Sequence, residues 1–244
     1  SAEKAPVSII EHPDVRRMIL RMKALTEASR ALLYYTAGQV DRGILGFQAA
    51  KARGEVLTPL IKAWGTDVGI EIASLGIQVH GGMGFVEETG AAQHWRDSRI
   101  APIYEGTNGI QAADLVTRKL ALDNGEALIS LVEDIARECA DEPTLFTLAG
   151  DCAAIAKWMR EDASLDDRLA GSVPFCTMLA VATAGWQLSR QLNSIEEGTD
   201  RAKAKHATVR FFLDRIVPEA SGLKASATAG GDALYDIPTE ALLH

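Results

Sequence analysis

The chain has 244 residues, of which 47% are apolar and 24% are charged, and this balance excludes a disordered tail, a collagen and a disulfide-rich miniprotein. The 33 acidic residues outnumber the 25 basic ones and give a net charge of −8. Because no chain-wide positive field attracts a phosphate backbone, nucleic acid is not an expected partner.

Cysteine usage and hydropathy indicate the compartment. Cys139, Cys152 and Cys176 lie far apart, and an odd number of thiols cannot pair completely. The longest apolar runs fall short of the roughly 20 residues that a bilayer span needs, and the first residues do not resemble an export signal. The sequence therefore predicts a soluble cytoplasmic protein with no transmembrane segment and no metal site.

The first half of the chain has a helical apolar period. A long helix is predicted from Pro13, and a second is predicted through residues 56–79, with Pro59 near its start because proline disrupts a helix interior. A short helix is predicted over residues 89–99. Asn108 is expected to cap a further helix that ends at Asn124-Gly125. The residues of that helix expected to face inward are Ile110, Leu115, Val116 and Leu120.

The second half shows only helical periodicity, with four further helices predicted around residues 128–135, 145–159, 175–192 and 206–216. The small, polar segment from residue 221 to 231 is expected to be a mobile arm. No useful β alternation is present. The predicted fold class is all-α, with a helical bundle over residues 1–124 and a carboxy-terminal helical extension over residues 125–244 that packs across it.

Glycines interrupt the helical pattern between Gln78 and Phe85, where Gly81, Gly82 and Gly84 fall within four positions. Backbone N–H groups left open by glycines can bind anions. The segment is neither a Gly-x-Gly-x-x-Gly dinucleotide fingerprint nor a P-loop. A simple turn between two helices remains the alternative.

A carboxylate stands alone in a second irregular segment, where Glu105 lies between Tyr104 and Gly106 just before a predicted helix. A fixed carboxylate can act as a general base. The alternative is an acid that stabilises the helix dipole, and the neighbouring charges of residues 95–99 could form only an ion-paired helix face. The aromatic residues expected in the core are Tyr34, Tyr35, Trp158 and Trp186.

Taken together, these segments resemble the carboxy-terminal domain of the flavin-dependent acyl-CoA dehydrogenases. The resemblance rests on residues 78–85, Trp95-Arg96-Asp97, residues 103–107 and Gln111. Residues 11–18 and the acidic region after residue 124 resemble the longer bacterial members, which carry a carboxy-terminal extension. This resemblance implies that the amino-terminal helical domain and the middle β domain of the parent protein lie outside these 244 residues.

The resemblance also implies roles for individual residues. Glu105 would be the catalytic base that takes the α-proton of an acyl-CoA thioester, while FAD accepts the hydride from the β-carbon. Two further groups of residues would contact FAD. The first group lies at the adenine and pyrophosphate half of a neighbouring subunit's FAD and comprises Gln78, Val79, His80, Gly81 and Gly82. The second group follows the base in the sequence and comprises Thr107, Asn108 and Gly109.

The implied assembly is a homo-oligomer, expected to be a dimer, that passes its electrons to electron-transferring flavoprotein. Without the absent domains the chain alone is expected to be inactive and to bind FAD weakly, since a ligand site normally buries most of its ligand. Two alternatives remain open: a non-catalytic helical assembly module, and an acyl-CoA oxidase that reduces oxygen. The extension is expected to enlarge the dimer or to shield the substrate mouth.

Overall fold

The computed structural model describes residues 7–243, and α-helices form nearly all of its regular structure, with no strand in that range. Short 3₁₀ and π turns connect or continue several of the helices. The α-helices are α1 (Pro13–Ile44), α2 (Gln48–His80), α3 (Gly82–Phe85), α4 (Ala91–Ser98), α5 (Asn108–Asp114), α6 (Glu126–Glu138), α7 (Pro143–Glu161), α8 (Leu165–Ala170), α9 (Ser172–Leu192), α10 (Asp200–Phe211), α11 (Val217–Ser221) and α12 (Lys224–Ala227).

Helices α1 and α2 form a long hairpin closed by a three-residue turn in which Gly46 has φ 98°. Helix α1 begins at Pro13, as predicted. The predicted start of α2 is wrong, because the helix begins at Gln48 and Pro59 lies well inside it. Pro59 is buried, and we attribute its tolerance to this packing, which offsets the helical hydrogen bond that its missing N–H cannot make.

Helix α9 lies at the centre of the fold and is buried along most of its length. It packs against α1, α2 and α7. One continuous apolar core therefore joins Leu32 and Leu57 of the hairpin to Leu131 and Phe175 of the later region. The extension packs across the bundle as expected, while the division of the chain at residue 124 stays a prediction.

The expected mobile arm is wrong. Ser221 ends α11, and residues Lys224–Ala227 form α12, in which Ala227 is fully buried. The backbone N–H of Gly231 donates to Asp167 Oδ1 at 2.8 Å. Small residues pack here because they allow close approach: a Cβ at Gly171 would lie 2.2 Å from the carbonyl oxygen of Ala227. Helices α8, α11 and α12 are also additional to the four that periodicity predicted.

Two further expectations about burial are wrong. Ile110 and Tyr34 are exposed, at 60% and 71%. The other inward positions of the helix after Thr107 are confirmed, because Leu115, Val116 and Leu120 are buried. Trp158 packs partly buried against the core, and Tyr35 meets the buried Trp186 edge to face, with 5.3 Å between ring centroids.

Candidate functional site

The glycine-rich segment ends α2 and reverses the chain. Gly81 adopts φ 63° and ψ −145°, a conformation that favours glycine, and one helical turn, α3, follows it. Gly84 is required for a different reason, since a Cβ there would lie 2.3 Å from the carbonyl oxygen of Ile77. The predicted end of the long helix is confirmed, although Gly82–Phe85 is helical for a single turn.

The surface of this turn is open. Gln78, His80, Gly81 and Gly82 are exposed, and Val79 is half-buried. Apart from adjoining backbone, no atom of residues 7–243 lies within 4 Å of the position that a Cβ would take at Gly81 or Gly82, so a ligand can reach the backbone there.

Glu105 lies in a loop with two consecutive left-handed residues, since its own φ is 55° and that of Gly106 is 84°. A left-handed conformation is uncommon for a residue with a side chain and costs of the order of 1–3 kcal/mol. The carboxylate of Glu105 is exposed, and it forms no hydrogen bond or ion pair with any residue in the range 7–243. The backbone conformation, rather than a side-chain partner, therefore sets its direction.

Lys62 of α2 anchors the loop to the hairpin. Its ammonium group donates to the carbonyl oxygen of Ala101 at 2.6 Å and to that of Tyr104 at 3.2 Å. The same Nζ lies 5.0 Å from the centre of the Tyr104 ring, within the range of a cation–π contact. The residue immediately before Glu105 is thus held from both its backbone and its ring.

The loop is also closed from its other end, and here the predicted cap is wrong. Thr107, not Asn108, is the N-cap of α5, because its hydroxyl accepts from the N–H of Ile110 at 3.3 Å. Asn108 is the first helical residue, and its side-chain amide instead donates to Ala63 O at 2.9 Å and to Asp67 Oδ1 at 2.8 Å. With Thr107 in this position, Glu105 does not cap the helix.

The surroundings of Asp67 change the pKa of its carboxyl group. Partial burial raises the pKa of Asp67, while the hydrogen bond from Asn108 and the charge of Arg99 lower it less strongly. Sequence reasoning missed Lys62, Thr66 and Asp67. Their signal in the sequence is that Lys62 and Thr66 are i, i+4 neighbours on one face of α2 and that Asp67 follows directly.

The two predicted site segments lie far apart on one chain. Lys62 precedes Gly81 by 19 positions in the sequence, which corresponds to about 28 Å along a helix. His80 and His94, however, do share an apolar groove of about 480 Å³ with Met22 and Ile72. Within residues 7–243 no group of three or more His, Cys, Asp or Glu side chains could hold a metal ion. Among the helices of residues 7–243, none combines the length and the apolar character that a bilayer span requires.

Comparison with known proteins identifies the family. The family described as "Acyl-CoA dehydrogenase, C-terminal domain" matches residues 2–120, and "Acetyl-CoA dehydrogenase C-terminal like" matches residues 132–238. The chain belongs to the acyl-CoA dehydrogenases. It represents carboxy-terminal regions of that family, and the all-α prediction is confirmed.

Two curated acyl-CoA dehydrogenases illustrate the similarity. The chain is 42% identical to a 3-methylmercaptopropionyl-CoA dehydrogenase of Ruegeria pomeroyi, over 96% of the chain and 44% of that protein. It is 31% identical to a butyryl-CoA dehydrogenase of Syntrophomonas wolfei, over 97% of the chain and 43% of that protein. The chain thus spans under half the length of these relatives.

A solved acyl-CoA dehydrogenase shares the fold. The structure from Bacillus anthracis, a complex with FAD, superposes with a TM-score of 0.73 at 20% identity and covers 96% of this chain and 45% of its own. The overlap extends through both the bundle and the extension, so the packing of α9 across the hairpin belongs to a fold that a related protein also adopts.

Proposed function

We propose that this chain supplies the catalytic base and part of the FAD site of an enzyme that dehydrogenates acyl-CoA thioesters between the α- and β-carbons. The observation that carries the proposal is the loop of Glu105. An exposed carboxylate without a partner among residues 7–243 is held in a left-handed conformation between two anchors on α2. An acid that only capped a helix would need neither the conformation nor the anchors.

The arrangement suits proton abstraction. The α-hydrogen of a thioester is weakly acidic, so its removal needs a carboxylate fixed beside the α-carbon, and positioning of this kind supplies much of the rate. Lys62 and Asn108 act as positioning residues, because they tie both ends of the loop to a long, well-packed helix. FAD, when bound, takes up the hydride that leaves the β-carbon.

The residues at the glycine turn fit an extended dinucleotide. Gly81 and Gly82 leave their backbone uncovered, which permits the close approach that a pyrophosphate group requires. After the base, the side chains of Thr107 and Asn108 are already engaged by the protein. The Thr107 hydroxyl only accepts in this cap and keeps its own proton to donate. Any contact of this segment with the cofactor would therefore come from that hydroxyl, from the backbone and from the exposed Gly109.

Exposed apolar residues beside both segments support a larger assembly. Met83 and Phe85 flank the glycine turn, and Ile103 and Ile110 flank Glu105. Apolar groups grouped in this way favour cover by other protein surfaces. Lys62, which anchors the loop of Glu105, lies about 28 Å along α2 from Gly81. We therefore infer a homo-oligomer in which the two segments serve different cofactor molecules. The further domains that the family resemblance implies would supply additional cover. In the proposed cycle, electron-transferring flavoprotein would take the electrons from the reduced flavin.

The test replaces the base in the complete protein that carries this chain. Glu105→Gln keeps size and polarity but cannot accept a proton, so we expect flavin content and melting temperature to stay unchanged while kcat falls about a hundredfold to ten-thousandfold. Glu133→Gln, an equal change on the exposed face of α6, is the matched control and should retain full activity. Full activity of Glu105→Gln would refute the assigned role.

A further inference from the structure

A groove where the bundle meets the extension concentrates positive charge on an acidic protein. It has a volume of about 850 Å³ and lies between α1, α9 and α10. We call it the cationic groove and define it by Lys23, Arg30, Arg190, Arg201 and Lys205, which all line it. Glu27 is the one acid in its lining, so the groove carries an excess of four positive charges while the whole chain has a net charge of −8.

The protein uses only some of these charges itself. Glu27 lies between Lys23 and Lys205, which contact its carboxylate at 2.6 and 2.7 Å. Burial opposes ionisation of Glu27, but these two hydrogen bonds outweigh it and hold its pKa below the usual value. Arg30 and Arg201 form no ion pair with any acid in the described range, 7–243. The two guanidinium groups therefore remain available to a ligand.

An unpartnered amide independently indicates a ligand. Gln187 of α9 lines the same groove and is only 8% exposed. Its Nε2 is buried and has no hydrogen-bond partner in the structure. Leaving a buried donor unpaired costs about 1–3 kcal/mol, and half a turn of the carboxamide exchanges its nitrogen and oxygen. Nε2 is covered in its present position, so it is this half turn that brings the NH₂ group to the open side of the side chain, where it can donate to an acceptor inside a groove lined by arginines.

We infer that the cationic groove binds a phosphate-bearing anion between α1, α9 and α10. Arginine guanidinium groups match phosphate oxygens with paired N–H donors, and the Gln187 amide adds a neutral donor at the floor. The exposed ring of Tyr34 at the rim offers a flat face to a base. The same chemistry fits either a free pyrophosphate or the diphosphate of a nucleotide. No residue of the two proposed active-site segments lines this groove.

The test measures binding of inorganic pyrophosphate to the complete, flavin-loaded protein by calorimetry at low ionic strength. We expect saturable binding that weakens as salt rises, because screening reduces charge attraction. The double variant Arg30→Gln with Arg201→Gln should bind at least tenfold more weakly. The control Arg118→Gln with Lys157→Gln removes the same charge from exposed sites outside the groove and should bind as the wild type does.

Gln187→Leu separates binding from folding. A leucine removes the unpaired donor at similar volume, so we expect an equal or higher melting temperature without ligand but a smaller rise when pyrophosphate is added. Absence of saturable binding, equal loss in the control pair, or a full pyrophosphate response in both the arginine and the Gln187 variants would overturn the inference.

ADP distinguishes the two sources of the phosphate. Tighter binding of ADP than of pyrophosphate, with the difference lost in Tyr34→Leu, identifies a nucleotide as the ligand. Equal binding of the two identifies the free anion. Neither result depends on acyl-CoA turnover, so the groove can be tested whether or not Glu105 is the base.

Discussion

The side chain of Asn108 connects the loop of Glu105 to α2, and replacing it tests that role directly. Asn108→Ala removes the part-buried donation to Ala63 O at 2.9 Å and the contact with Thr66 Oγ1 at 3.0 Å, each worth about 1 kcal/mol. The bond to Asp67 adds less, because that carboxylate is only partly buried and water still screens the interaction. We expect the free energy of unfolding to fall by about 2 kcal/mol.

Urea denaturation at pH 7 measures this loss, and the slope m should stay constant because the exposed area does not change. Asn193→Ala, which removes an exposed asparagine at the end of α9, is the matched control and should change stability by less than about 0.5 kcal/mol. In the complete enzyme Asn108→Ala should also lower kcat while leaving flavin content intact, since the base loses its anchor.

The pH dependence gives a second check. Partial burial raises the pKa of Asp67, so its proton binds more tightly in the folded state, and stability attributable to this group falls as pH rises from its unfolded value through the raised one. The hydrogen bond from Asn108 lowers this pKa. Its removal should therefore make Asn108→Ala more costly at pH 7 than near pH 4. A loss no larger than that of Asn193→Ala at either pH would refute the reasoning.

Three further predictions concern the rest of the fold. Gly84→Ala should destabilise the protein by about 1–3 kcal/mol in thermal unfolding because its Cβ would lie 2.3 Å from a carbonyl oxygen, whereas Gly82→Ala, in open space, should be almost neutral. Burial raises the pKa of Cys139 to about 11 and that of Cys176 to about 12, so both thiols should resist Ellman's reagent in the native protein at pH 8 and react in urea; rapid native reaction would contradict this. Limited proteolysis near residue 124 should not release two separately stable pieces, because one core spans both regions; two folded fragments would argue against that packing.

The sequence predicts the structure correctly where a residue pattern is compatible with only one local conformation. Apolar residues at helical spacing placed α1, α6, α7 and α9 correctly, and three glycines within four positions correctly ended α2. The sequence could not place Pro59, because this residue is buried where α2 packs against α9. The thiol of Cys176, more than a hundred positions away, lies 3.9 Å from the Pro59 carbonyl oxygen. The prediction of a mobile arm over residues 221–231 is wrong for the same reason. Small residues are typical both of mobile segments and of closely packed ones, and the close packing here depends on Gly171, which is distant in the sequence.

The candidate site shows the same limit. Glu105 and the glycine turn stand out in the sequence because they interrupt helices, but the residues that hold the loop do not. Thr107 and Asn108 are both good capping residues, and the choice between them depends on Ala63 and Asp67 of α2, which take the Asn108 amide. In the sequence, Lys62 cannot be distinguished from an ordinary surface lysine, because its contact with the loop exists only in the folded chain. Roles for the FAD residues stay predictions.

The central position of α9 has a consequence for synthesis on the ribosome. Helices α1 and α2 leave the exit tunnel before α9, yet one side of their hairpin is completed by α9, whose residues are translated about a hundred positions later. Chains translate at roughly 5–20 residues per second, so the nascent hairpin waits several seconds with an apolar flank uncovered. This nascent species should be the chaperone client, and slow codons before α9 should lower the yield of folded protein.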